Sequence, residues 1–196
     1  MTRFYKTIRG LLRPLMHLFF RIRWEGFEAL PDGPLIICAN HISFLDPVLL
    51  GIKLPRQLFF MSKAELFKVP VLGWALKNCG AFPVNRGKGD KSALIAAQQV
   101  VREGKLLGIF PEGTRSKTGQ MLRPKSGAAM LAHMLGADIL PISIHCKGRV
   151  RIFKKITVRM GVVIQHEELN IQKGAPSELK AASILIMDRI KTLQKL

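Results

Sequence analysis

His41 and Asp46 stand five residues apart in the segment Asn40-His41-Ile42-Ser43-Phe44-Leu45-Asp46-Pro47. A neutral imidazole can take a proton from a hydroxyl while a carboxylate fixes its tautomer and supports the imidazolium that forms, so the pair is a candidate general base and its partner. On one continuous helix a five-residue step turns through about 140°, which would face the two side chains apart. They can meet only across a turn. Pro47 favours the first helical position, so Asp46 is expected at a helix N-cap with His41 one loop earlier. An Asp before Pro is also how ordinary helices begin. Ser43 and Cys38 are rival nucleophiles, but neither has a base at a recognisable motif spacing.

A second group of polar residues follows another apolar run. Residues 106–110 (Leu-Leu-Gly-Ile-Phe) lead into Pro111-Glu112-Gly113-Thr114-Arg115-Ser116. Gly113 lets backbone approach a ligand closely, Thr114 and Ser116 supply hydroxyls, and Arg115 offers a planar fork that matches phosphate geometry. A plain turn with a surface arginine would look the same. Gly80-Ala81-Phe82-Pro83-Val84-Asn85-Arg86 again ends an apolar run with Arg.

Positioning these groups calls for strands that end where the loops begin. Short β-type runs at 35–39, 58–61, 81–84, 106–110, 139–144 and 156–164 alternate with helical stretches, the pattern of an α/β domain with a largely parallel or mixed sheet flanked by helices. Ligands in such sheets sit beyond the carboxyl ends of strands. Asp90 can cap a helix that stops before Gly104, a second helix should stop near Gly136, and Ser177 should start the last. In that last helix Leu179, Ala182, Ile186, Ile190 and Leu193 recur at three- and four-residue intervals, which predicts packing on the sheet.

Residues 3–22 divide on a helical projection. Arg3, Lys6, Arg9, Arg13, His17 and Arg21 gather on one side; Phe4, Ile8, Leu11, Leu12, Leu15, Leu18, Phe19 and Ile22 gather on the other. A basic and aromatic amphipathic helix suits an anionic membrane surface, although its apolar side could instead cover the protein's own core. Pro14 lacks an N–H and is expected to break the segment into two shorter helices.

The 196 residues fit one domain, and 31 Lys and Arg against 13 Asp and Glu give a formal charge of +18. Nucleic acid, anionic lipid and acidic carrier proteins all match that charge. One Tyr, two Trp and the lack of a base-stacking aromatic motif argue against nucleic acid. Three dispersed cysteines, Cys38, Cys79 and Cys146, suggest neither a disulfide framework nor a metal site and fit a reducing compartment. No apolar run reaches the roughly 20 residues needed to span a bilayer, and no secretory signal is evident.

Taken in order, these segments resemble the lysophosphatidic acid acyltransferase family, the 1-acylglycerol-3-phosphate acyltransferases. Its first motif corresponds to residues 40–46, the second to 80–86, the third to Phe110 through Ser116, and the fourth to Leu140-Pro141-Ile142. Pro83 stands where many members carry an aromatic residue and Asn85 where an acidic one is frequent. The resemblance implies a His41–Asp46 catalytic dyad and an acceptor site formed by Arg86, Glu112, Gly113, Thr114 and Arg115, with Lys63 and Lys125 as accessory cations. It also implies direct acyl transfer from an acyl-carrier-protein or coenzyme A thioester to the sn-2 hydroxyl of 1-acylglycerol-3-phosphate, forming phosphatidic acid, with glycerol-3-phosphate or another lysophospholipid as the alternative acceptor. No further cofactor, metal or acyl-enzyme is then needed. The expected setting is the cytoplasmic face of a membrane, where Phe4, Ile8, Leu11, Leu15, Phe19 and Arg13 would dock a monotopic or peripheral enzyme. A basic membrane-binding module without activity is the alternative from another class.

Overall fold

The computed structural model describes residues 1–27, 30–85 and 90–196. Strand β2 (Leu35–Ala39) shows how the fold is organised, because all five of its residues are buried. Leu35, Ile37 and Ala39 project into one apolar cluster, and Ile36 and Cys38 into another. This two-residue alternation with both faces covered belongs to a central strand of a three-layer α/β/α arrangement.

The chain runs α1 (Arg3–Phe19), β1 (Arg21–Glu25), β2, α2 (Asp46–Lys53), β3 (Leu58–Lys63), α3 (Pro70–Asn78) and β4 (Ala81–Val84). It continues through α4 (Lys91–Arg102), β5 (Leu106–Ile109), α5 (Gly127–Leu135), β6 (Asp138–Cys146), β7 (Lys155–Met160) and α6 (Pro176–Lys195). The seven strands form one sheet in the order β1-β7-β6-β2-β5-β3-β4. Among the described residues the pairings between these strands are parallel except β6 with β7, so the sheet is mixed. Met16, Phe20, Leu49 and Leu50 of the α1–α2 side cover one face. Ala97, Val101, Leu131, Ile186 and Ile190 of α4, α5 and α6 cover the other.

The expected strands and the α4, α5 and α6 helices are found within a few residues of their predicted limits, and Asp90 caps α4 by accepting from the Ser92 and Ala93 amides. Two expectations near the N-terminus need correction. Pro14 does not divide the segment: α1 is one helix through Pro14, held on either side by buried Tyr5 and Met16. One missing backbone hydrogen bond is outweighed when tertiary contacts grip both halves. The helix also ends at Phe19 rather than Ile22. Residues from Arg21 pair in parallel with β7, with Arg21 opposite Lys155 and Glu25 opposite Arg159, forming an edge strand. The exposed Arg21 and Arg23 on it discourage further pairing.

Candidate active site

Four parallel neighbours, β6, β2, β5 and β3, make the middle of the sheet, and the loops leaving β2 and β5 meet at its carboxyl edge. Asn40 makes the first turn possible. Its side-chain amide donates to the Ile144 carbonyl at 2.8 Å and its oxygen accepts from the Ile144 N–H at 2.7 Å, pairing with β6 as backbone would. The main chain is thereby released to bend at His41.

The His41 backbone is gripped on both sides by the second loop. Its N–H donates to Glu112 Oε1 at 2.7 Å, and its carbonyl accepts from the Ser116 N–H at 2.8 Å. Its imidazole Nδ1 lies 2.7 Å from Asp46 Oδ2. The same carboxylate oxygen accepts from the amides of Ile42 at 2.7 Å and Ser43 at 2.8 Å. The helix therefore starts one residue earlier than expected, with Leu45 as N-cap and Asp46 inside the first turn. Asp46 does not cap α2. It reaches back to close the His41 turn, and it is fully buried in doing so. A buried carboxylate accepting at Nδ1 makes that nitrogen the N–H bearer and leaves Nε2 with its lone pair.

The ring's orientation has a further support. His41 stacks on Phe110 at a centroid distance of 4.0 Å and an interplanar angle of 14°. Phe110 in turn stacks on Phe60 at 5.5 Å and 4°. Phe60 lies over Gly108, where an added Cβ would come within 2.2 Å of the phenyl ring. Neither Phe110 nor Gly108 stood out as a site residue in the sequence, because an aromatic and a glycine in an apolar run read as core.

Glu112 is not free to meet an acceptor. Oε1 is taken by His41 and Oε2 accepts from the Leu122 N–H at 2.8 Å, with the residue almost wholly buried. Burial pushes its carboxyl above the ordinary range, opposed by the two amides. Its place is in the frame that joins the two loops. Gly113, by contrast, takes φ +69°, and the Lys125 side chain passes where a Cβ would be, at 3.0 Å. Lys125 is itself anchored by a 2.8 Å bond from its N–H to the Pro111 carbonyl. The Arg115 guanidinium lies 3.2 Å from the Phe44 ring centroid, over the loop that carries His41. Thr114 is exposed beside it. Lys63 ends β3 at the same sheet edge and pairs with Glu65 at 3.2 Å. Arg86 lies outside the described residues.

Bordering the His41–Asp46 loop through Phe44 and Pro47 is an apolar cavity of about 230 Å³ between α1, α2, β3 and α3, lined also by Tyr5, Leu12, Val48 and Phe60. Phe44 thus borders both the cavity and Arg115. Of the expected docking residues, Leu11, Arg13, Leu15 and Phe19 are exposed, whereas Phe4 and Ile8 are half-buried. Ile8 lines the cavity, and Arg9, expected on the basic side, turns inward to donate to the Ile52 carbonyl at 3.2 Å. The inward edge of α1's apolar strip is formed by Tyr5, Leu12 and Met16, so the core covers only part of that strip. The edge-to-face contact of Phe4 with Trp74, at 4.9 Å, joins its outer face to α3, where Val71, Leu72 and Trp74 are exposed, as is Val69 just before the helix.

Residues 21–145 match the family model described as Acyltransferase. The chain is 34% identical to the 1-acyl-sn-glycerol-3-phosphate acyltransferase of Bacillus subtilis over 139 residues, 70% of this chain and 69% of that protein. It is 35% identical over 136 residues to the chloroplastic 1-acyl-sn-glycerol-3-phosphate acyltransferase LPAT1 of Arabidopsis thaliana, covering 67% of this chain but 38% of the plant protein. A lyso-ornithine lipid O-acyltransferase of Pseudomonas aeruginosa is 40% identical over 138 residues, 68% of this chain and 51% of that protein. Among solved structures, the 1-acyl-sn-glycerophosphate (LPA) acyltransferase PlsC from Thermotoga maritima superposes with a TM-score of 0.75 at 26% identity, covering 98% of this chain and 80% of that one.

Proposed function

The chain belongs to the Acyltransferase family, and from that premise we propose that it moves a fatty acyl group from a thioester to the sn-2 hydroxyl of 1-acylglycerol-3-phosphate, forming phosphatidic acid. The observation that carries this reading is the fixed His41–Asp46 pair, with Arg115 stacked over the same loop and an apolar cavity alongside.

Asp46 holds Nδ1–H, and His41 Nε2 takes the proton from the acceptor hydroxyl as that oxygen attacks the thioester carbonyl. A tetrahedral oxyanion forms. Its collapse breaks the carbon–sulfur bond, and the thiolate recovers the proton from the imidazolium as free thiol. Buried Asp46 stabilises the intervening positive charge and prevents the ring from turning. Arg115 and Lys125 offset the charge of the acceptor phosphate, and Gly113 leaves room for the Lys125 side chain to lie across the loop. The cavity beneath Phe44 suits an acyl chain, which gains by leaving water. The thioester is a co-substrate, carried by an acidic acyl carrier protein or by coenzyme A.

We also read α1 as the element that docks the enzyme on an anionic bilayer at the cytoplasmic face. Among the described residues no helix is long and apolar enough to cross a membrane. The outward Leu11, Leu15 and Leu18 with Arg13 and Lys6 nearby support attachment at the interface plane.

The likeness to a lyso-ornithine lipid O-acyltransferase favours, as a second reading, the same chemistry on an acceptor that lacks the glycerol phosphate. The deciding experiment offers the purified protein 1-acylglycerol-3-phosphate, glycerol-3-phosphate and lyso-ornithine lipid, each with carrier-protein and coenzyme A thioesters, and identifies products by mass. Phosphatidic acid as the dominant product supports the proposal. Acylation of another acceptor alone rejects it.

A further inference from the structure

The connection between β6 and β7 reads Lys147-Gly148-Arg149-Val150-Arg151-Ile152-Phe153-Lys154, followed by Lys155 at the start of β7. With Lys155 it holds five cations and no acid. Val150 packs against the core, while Ile152 and Phe153 are 58% and 67% exposed. Phe153 has φ +64°, a left-handed conformation that a bulky aromatic residue rarely adopts and that Gly or Asn would take with little strain. The turn therefore presents two consecutive large apolar side chains to the outside against local preference.

The tip is also fastened to the docking helix. The Phe153 N–H donates to the Phe19 carbonyl at 2.7 Å, and the Arg21 N–H donates to the Lys154 carbonyl at 3.2 Å. Phe19 and Leu18 at that end of α1 are exposed. The apolar side chains of the tip thus continue the outer strip of α1 at its C-terminal end, as Trp74 and its neighbours in α3 do at the N-terminal end.

We propose that the β6–β7 tip is a second membrane contact, inserting Ile152 and Phe153 into the interfacial layer of an anionic bilayer while Lys147, Arg149, Arg151, Lys154 and Lys155 meet lipid phosphates. This rests on the reading of α1 as a bilayer-docking helix and extends it. An amphipathic helix alone can roll about its axis on the surface. A fastened second contact off that axis restricts the roll and fixes how the carboxyl edge of the sheet faces the lipid. The alternation of cations with exposed apolar groups favours lipid over an acidic protein, because desolvated apolar tips gain most in an acyl layer.

The test compares the parent protein with two variants by sedimentation with phosphatidylcholine vesicles containing phosphatidylglycerol and with phosphatidylcholine alone. One variant is Ile152→Ser/Phe153→Asn, in which Asn accepts the left-handed backbone, so its thermal midpoint should match the parent. The other is Leu11→Ser/Leu15→Ser/Leu18→Ser, which alters only outward positions of α1. The tip variant should lose about tenfold in partitioning to the anionic vesicles, as expected for removing two interfacial apolar anchors. Its turnover on a monomerically dispersed short-chain lysolipid should be unchanged.

Wild-type binding by the tip variant, with loss confined to the α1 variant, would overturn the inference while leaving α1 docking intact. Failure of the parent protein to bind, or undiminished binding by both variants, would remove the docking reading and this inference with it. Retained vesicle binding with a raised KM for the carrier-protein thioester, but not for the coenzyme A thioester, would make the tip a protein-docking surface and reject the proposal.

Discussion

In the proposed mechanism His41 serves as a base only while Nδ1 is occupied and Nε2 is presented, and the first condition traces to a single side chain. Asp46 Oδ2 gathers three donors, His41 Nδ1 and the amides of residues 42 and 43, so ring and turn are set by one oxygen. Glu112 and Arg115 lie three residues apart in the same motif and have opposite environments. Glu112 is buried with both oxygens on backbone amides, whereas Arg115 is exposed over Phe44. Glu112→Gln turns an N–H toward an amide N–H and should cost about 2 kcal/mol in stability, the range for spoiling a buried charged hydrogen bond. It should lower kcat and leave the acceptor's KM nearly unchanged, since it acts through the position of His41. Arg115→Ala should do the reverse, raising the acceptor's KM by about tenfold or more for the loss of a charge-assisted contact, with kcat little altered. Steady-state kinetics with thermal melts on both variants check the pair. A KM effect from Glu112→Gln would return that carboxylate to the acceptor.

Among the elements, β5 contributes through what it lacks. Gly108 leaves room for Phe60, and the stack Phe60–Phe110–His41 rises from there. Gly108→Ala should destabilise the protein by about 1–3 kcal/mol, as overpacking does, and also reduce turnover by tilting the stack. A lowered melting temperature with unchanged kcat would separate the stack from the chemistry. Helix α4 carries a pH-dependent cap: hydrogen bonds from Ser92, and then from the Asn85 and Ala93 amides, hold the Asp90 carboxyl well below its ordinary value of 3.8. Because the folded pKa is depressed, the stabilisation is present above that ordinary value and is lost as pH falls through the folded one. Asp90→Asn keeps a cap acceptor but cannot titrate. Its melting temperature should therefore fall less steeply than the parent's below about pH 4, by calorimetry across that range. Buried strands such as β2 and capped helices such as α4 were legible in the sequence because local pattern and burial agree. β1 was not: Arg21-Ile22-Arg23-Trp24-Glu25 prolongs the amphipathic pattern of α1, and its pairing with β7, more than 130 positions later, has no local signature. Helix α3 was missed for a related reason, as its short apolar turn faces outward.

At the scale of the whole molecule, the two loops that matter leave neighbouring strands at one edge of the sheet, which is where parallel order places the ends of β2 and β5. The motifs were readable through their resemblance to the family, and His41 and Asp46 as a candidate pair; the Glu112 clamp, the Asn40 bridge to β6 and the Phe110 stack were not, since each depends on partners remote in sequence. The N-terminal helix was readable as amphipathic, but not in how its apolar strip divides between core and outside. Tyr5 and Met16 bind it to the core, so removing the segment would also strip the sheet. Substitution of its outward leucines is the cleaner probe of docking. The central claim is that His41 is the base, and its most direct test is lysophosphatidate-dependent release of thiol from an acyl thioester by the His41→Ala protein. With the melting temperature and vesicle binding of the parent retained, that rate should fall by about two to four orders of magnitude, the usual loss when a general base is removed. A folded His41→Ala protein that releases thiol within about threefold of the parent rate would contradict the account.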